Sequence, residues 1–176
     1  MTGENAICDA LSDLLRSRTD WDEAPGPYFA YRDGGKVRLS PESLIPDVMW
    51  SGRPPEVLGI FAAALECAAP GMLAALAPRD LIGAAFRFES WTVITAAADA
   101  GRTEEVRAAA RARKLSSHPG RVEQRCVWAV TRDGTNYTAA QTRGSDTVES
   151  SRADGSTGMI PDSLLRIIRA VSAGVN

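Results

Sequence analysis

A chain of 176 residues most naturally forms one domain, 1–176, and is long enough to bury a continuous core without disulfide or metal staples. Hydrophobic residues at 44% and charged residues at 24% are ordinary for a soluble globular protein and exclude an intrinsically disordered one. With 20 basic against 22 acidic residues the formal charge is −2, which argues against a dominant nucleic-acid or anionic-membrane surface.

Cys8, Cys67 and Cys126 are odd in number, far apart and without a CxxC pair. Disulfide and zinc readings both fail, and three reduced thiols in a cytoplasmic protein are expected. The amino terminus lacks a basic segment followed by an apolar run, so no signal peptide is expected. The richest apolar stretch, Val57 to Leu76, is broken by Glu66 and Pro70-Gly71, so no membrane span is expected either.

Residues 4 to 17 read as a helix with Ile7, Leu11, Leu14 and Leu15 on one face. An acidic loop, Asp20-Trp21-Asp22-Glu23, leads to Pro25-Gly26-Pro27. Tyr28 to Ser40 reads as a hairpin. A three-residue Asp33-Gly34-Gly35 loop places Tyr31 opposite Val37 and Phe29 opposite Leu39, and is preferred to a two-residue Gly34-Gly35 turn. Residues 41 to 54 are rich in proline and should be mostly irregular, with a short turn around Pro46 to Met49.

Pro54-Pro55-Glu56 suits the first turn of a helix running to about Cys67 and packing Val57, Ile60, Phe61, Ala64 and Leu65. Met72 to Ala77 follows as a short helix. Leu81 to Ile94 reads as a strand, with Phe86 and Phe88 on one face and Arg87, Glu89 and Trp91 on the other. Thr103, a plausible N-cap, opens a helix ending in Arg111, Arg113 and Lys114, which should lie mainly on the surface.

Arg121 to Arg143 carries the strongest structural signal in the chain. Val122, Gln124, Cys126, Trp128 and Val130 alternate with Arg121, Glu123, Arg125, Val127, Ala129 and Thr131. Asp133-Gly134 then suits a type I′ turn that sets Val130 opposite Tyr137 and Trp128 opposite Ala139. Thr147 to Arg152 adds a strand, and Pro161-Asp162-Ser163 starts a last helix with Leu164, Leu165, Ile167, Ile168 and Val171 on a broad apolar face. The sum is an α+β fold: a mostly antiparallel sheet of about five or six strands with helices packed on one face. The two terminal helices are expected under the Trp128 face.

Catalytic motifs are missing: no GxGxxG, no GxxxxGK[ST] and no GxSxG occurs. The single histidine, His118, precedes Pro119-Gly120, and no catalytic residue is assigned. Asp20, Asp22 and Glu23 lack the spacing of an EF-hand loop, so no metal and no cofactor is expected. The basic run Arg107, Arg111, Arg113 and Lys114 is offset by Glu104 and Glu105, which leaves nucleic acid a minor option. More informative is the charged sheet face. Arg87 and Glu89 alternate on one strand, and Arg121, Glu123 and Arg125 on another. In neighbouring strands they pair as a wet, salt-bridged surface. With Trp91 they also compose a protein-binding hot spot or a site for an anionic ligand. Trp50 caps the core edge or, if exposed, gives with Arg53 a second candidate contact point.

Asp20 to Pro25, Gly52-Arg53-Pro54-Pro55-Glu56-Val57-Leu58, and Arg121-Val122-Glu123 leading to Arg132-Asp133-Gly134 resemble small uncharacterised actinobacterial proteins. Relatives of that kind also occur on phages and plasmids. The resemblance covers roughly residues 20 to 145. It implies a host type and a cytoplasmic setting, and carries no activity.

The first expectation is a non-enzymatic interaction or accessory protein of a mobile element or host regulation, with a protein partner. Its candidate surface is Trp91, Arg87, Glu89, Arg121, Glu123, Arg125, Trp50 and Arg53. The alternative is a small-ligand sensory or carrier domain, its pocket lined by Trp128, Tyr137 and Phe88 between the Trp128 face and the terminal helices. A second alternative is a small enzyme using His118 with Glu123 or Asp22.

Overall fold

The computed structural model describes residues 3–42, 45–94, 100–112, 114–155 and 157–175. Arg113, of the basic run, therefore lies outside the described residues. In chain order the elements are α1 (Gly3–Arg16), β1 (Gly26–Asp33), β2 (Lys36–Pro41), a 3₁₀ turn at Asp47–Ser51, α2 (Pro54–Glu66) and α3 (Pro70–Leu76). There follow β3 (Leu81–Thr92), α4 (Ala100–Arg111), a 3₁₀ turn at Leu115–Ser117, β4 (Val122–Thr131), β5 (Asn136–Thr142), β6 (Val148–Arg152) and α5 (Met159–Val175). The strands form one antiparallel sheet in the order β2-β1-β3-β4-β5-β6, so the fold is α+β. Among the described residues no helix is long and apolar enough to cross a membrane.

Helices cover both faces of this sheet rather than one. On the first face Phe29, Ala84, Phe86 and Val130 meet Leu58, Phe61 and Leu65 of α2, Leu73 of α3, and Leu164, Ile167, Ile168 and Val171 of α5. Phe86 is fully buried, its ring centroid 5.5 Å from those of both Trp50 and Phe88. On the second face α1 sets Ile7, Leu11 and Leu15 against Tyr28, Ala30, Ala85, Val127, Ala129, Tyr137 and Ala139. The terminal helices are thus on opposite faces, and only α5 packs on the Trp128 side. Alanines on β1, β3, β4 and β5 leave a shallow bed for a helix; in the sequence the same alanines read as a half-wet face.

Covering both faces also reversed the two turn assignments. At Gly34-Gly35 the loop has two residues: Asp33 pairs with Lys36 and Ala30 with Leu39. Both glycines have positive φ, +53° and +83°, as a type I′ turn requires. At Asp133 the loop has three residues, because the Thr131 N–H donates to Thr135 O and the Gly134 N–H to Thr131 O. Only Gly134 has positive φ there (+85°), the signature of a type I turn with a G1 bulge. The Asp133 carboxylate, held below its usual range by the Thr131 hydroxyl and the Thr135 N–H, fixes that turn. Val130 therefore pairs with Asn136, and Tyr137 with Ala129. A slip of one residue sends Tyr137 to the α1 face, away from Trp128. Both registers bury apolar side chains when both faces are dry, so alternation alone does not choose between them.

Helix α2 is phased differently from the expectation. Val57, Leu58, Phe61, Ala62 and Leu65 are buried, whereas Ile60 is 60% exposed and Ala64 is exposed. A helix apolar on every side gives periodicity nothing to phase. Helix α5 is tied to α2 by the Arg166 guanidinium, which donates to both Glu66 oxygens at 2.8 and 2.6 Å. That bond holds the Glu66 carboxyl below its ordinary value. The pair is solvent-exposed and its effect is small; it is present at neutral pH and fades as pH falls through the lowered native value. Helix α4 starts at Ala100, three residues before Thr103, and lies mostly exposed as expected. Arg107 and Arg111 at its end both pair with Glu104.

Candidate functional site

The charged stretch predicted on β3 and β4 forms, and the two strands are neighbours: Glu89 faces Arg125 and Trp91 faces Glu123 across the ladder. It is not an open surface. The acidic loop at residues 17–25, which continues α1, folds back over it. The Arg87 guanidinium donates to Ala24 O and lies 3.2 Å from Glu23. Glu23 also takes Arg18 at 3.0 Å, and Arg18 donates to the Tyr28 hydroxyl at 3.1 Å. The Asp22 N–H donates to Glu89 Oε2 at 2.8 Å, with Asp22 itself held at φ +66°. That conformation is costly for a non-glycine residue, and the surrounding bonds over-determine it.

Trp21 sits on this network. The guanidinium carbons of Arg125 and Arg143 lie 5.0 and 5.3 Å from its ring centroid, within cation–π range. Arg143 bonds Glu123 at 2.5 Å and approaches Asp22 at 3.6 Å. The Glu123 carboxylate pushes the Arg143 pKa up further. Asp22, Glu89 and Glu123 bring one carboxylate oxygen each within 4.8 Å of one another, a ligand type suited to a hard divalent cation. The Arg143 guanidinium already supplies positive charge there. The acids grouped by sequence proximity, Asp20, Asp22 and Glu23, divide instead among three different partners: Asp20 gives its carbonyl to Arg125, Asp22 joins Glu89 and Glu123, and Glu23 joins Arg87.

The eight candidate surface residues separate accordingly. Arg87 and Arg125 are 4% and 5% exposed and turned to internal partners. Trp50 is buried against Phe86 and is no contact point. Glu89 and Glu123 are half-buried within the network. Trp91 remains exposed at the end of β3, with Arg121 stacked over its ring at 5.0 Å, and Arg53 is exposed but paired with Glu56. Sequence reasoning missed Trp21, Arg143 and Gln141. The only signal for them was charge complementarity between an acidic loop and an arginine-rich strand pair.

The two alternative sites are not assembled. Trp128 and Phe88 border the α5 core while Tyr137 lies in the α1 core, so no single pocket holds all three. His118 accepts the Gly120 N–H at Nδ1 (3.1 Å) and turns Nε2 towards Glu105 at 3.8 Å; among the described residues it bonds neither Glu123 nor Asp22. Burial pushes the Cys126 thiol up to about 11, the opposite of an activated nucleophile. A thiol reagent at pH 8 is therefore expected to label exposed Cys67 first and half-buried Cys126, with its raised thiol pKa, much more slowly, counted by mass spectrometry. Labelling of Cys126 as fast as Cys67 would contradict the raised thiol pKa.

Comparison of the chain with protein-family models, with curated proteins and with solved structures finds no match.

Proposed function

We propose that the chain is a non-enzymatic interaction protein that docks a protein partner on the outer stripe of α2 and α3. The observation that carries this is an apolar helix buried on one side only. Ile60, Ala63, Ala64 and Cys67 recur at i, i+3, i+4 and i+7, and all four are exposed. Met72 on the following α3 is 50% exposed and Met159 at the start of α5 is 55% exposed. Globular proteins scatter exposed apolar side chains; a helical stripe of them is the composition of a helix-in-groove or helix-face contact. Trp91 with Arg121 is the smaller, second contact point. The docking face thus moves from the charged sheet face, which the protein covers for itself, to the helical layer. Sequence resemblance supports a cytoplasmic setting in an actinobacterial host, its phages or its plasmids; the accessory role rests on the exposed stripe alone.

Native mass spectrometry of the protein isolated from its own host tests this reading. The wild-type chain is expected to carry a stoichiometric protein partner. Ile60→Glu is expected to lose it at least tenfold while staying folded, since an exposed substitution changes stability by only about 0.5 kcal/mol. Retention of the partner by Ile60→Glu together with its loss in Trp91→Ala would move the interface to the end of β3.

A further inference from the structure

We propose that a cleft beside Trp21 binds a small tetrahedral oxyanion, phosphate or a phosphate monoester, with Arg125 as its anchor. This site is independent of the α2–α3 stripe. The cleft, about 420 Å³, lies where the end of α1, the 17–25 loop and the β5–β6 turn meet, and its polar lining includes Arg16, Arg18, Arg125, Gln141, Ser145 and Asp146. That volume suits a small molecule.

Arg125 is the group without a match. Its Nε–H donates to Gln141 Oε1 at 2.7 Å, and Gln141 is fixed in turn by donating Nε2–H to Ser145 O at 2.7 Å. Nη1 has only a long 3.5 Å contact with Asp20 O. Arg18, Arg87, Arg143 and Arg166 each have a carboxylate within 4 Å; among the described residues Arg125 has none, although it is 5% exposed. The acid directly opposite on β3, Glu89, gives Oε2 to the Asp22 N–H instead. A buried cation lacking a counter-charge is unfavourable, and the Trp21 ring offsets only part of that. An anion entering the cleft completes it.

The directions of the donors set the class. Two of the three guanidinium groups are already paired, Arg16 with Asp13 at 3.5 Å and Arg18 with Glu23 at 3.0 Å, which leaves Arg125 as the cation that an anion completes. The arginines come from separate elements, α1, the loop and β4, so their donors converge from different directions. A tetrahedral oxyanion with several acceptor oxygens accommodates that better than a planar carboxylate.

Calorimetric titration at low ionic strength tests the site, with inorganic phosphate, a sugar phosphate and malonate as probes. Saturable one-to-one phosphate binding is expected, weakened about fivefold in Arg16→Gln and tightened two- to fivefold in Asp146→Asn, the ordinary range for partly exposed charges. Both positions are exposed, so both variants are expected to melt with the wild type. Tighter binding of the sugar phosphate than of inorganic phosphate supports an ester as ligand; equal binding supports the free anion. Either is consistent with the site. No saturation by about 30 mM phosphate, where even a millimolar site is filled, overturns it. So does binding that neither substitution alters, or a preference for malonate.

Discussion

Phe86→Ala is expected to lose about 3–5 kcal/mol of stability, the range for deleting a buried aromatic ring. Phe86 is the largest fully buried side chain, on the central strand pair, between Trp50 and Phe88 and beneath the α2–α5 layer. Trp50 comes from the proline-rich connection, so the ring also ties that irregular segment to the sheet. For a chain of this size the loss corresponds to a melting temperature lower by roughly 6–20 °C. Urea unfolding followed by tryptophan fluorescence and by far-ultraviolet circular dichroism measures it. Coincident transitions with a shifted midpoint are expected. A loss below about 1 kcal/mol would mean that the α2–α5 layer is not packed on the sheet as described.

How much of this was legible in the sequence depends on what each residue type can specify. The alternation at 122–131 marks a strand because period 2 is a local property, and the six strands and five helices of the described residues are each visible through such local patterns. Register is not local in the same sense. Val130 and Ala129 are both buried, so Tyr137 was free to face either, and Asp133-Gly134 serves a two-residue or a three-residue loop equally well. Small residues hid the second core: Ala30, Ala85, Ala129 and Ala139 gave no sign that α1 would lie on them. The uniform apolarity of α2 likewise concealed which side would stay wet. For the candidate site, Arg87, Glu89, Glu123 and Arg125 were legible as a charged face. Their cover was not, because Ala24 meets Arg87 from 63 residues away and Asp20 meets Arg125 from 105. Nothing near either arginine in the chain records that contact.

That cover makes Glu23→Ala a more damaging change than Arg87→Met, although Arg87 is the more buried partner. Glu23 neutralises a guanidinium that is 4% exposed and whose Nε is already buried without a partner. Removing the carboxylate leaves Arg87, among the described residues, with the Ala24 carbonyl alone, and a buried charge so stranded costs about 3–5 kcal/mol in full. Glu23 keeps some solvent access, which reduces the expected loss to about 2–3 kcal/mol. Arg87→Met removes the charge itself, keeps an apolar stem of similar length, and leaves Glu23 paired with Arg18; about 1 kcal/mol is expected. The double variant is therefore expected to be more stable than Glu23→Ala alone, a reversal of sign that additive packing losses do not produce. Urea midpoints of the four proteins measure the cycle. If Arg87→Met is the worst of the three variants, the pair is held by packing and hydrogen bonds of the arginine rather than by its charge, and the loop is anchored by Ala24. If the reversal is found, the acidic loop is retained over the sheet because Arg87 beneath it needs the charge of Glu23.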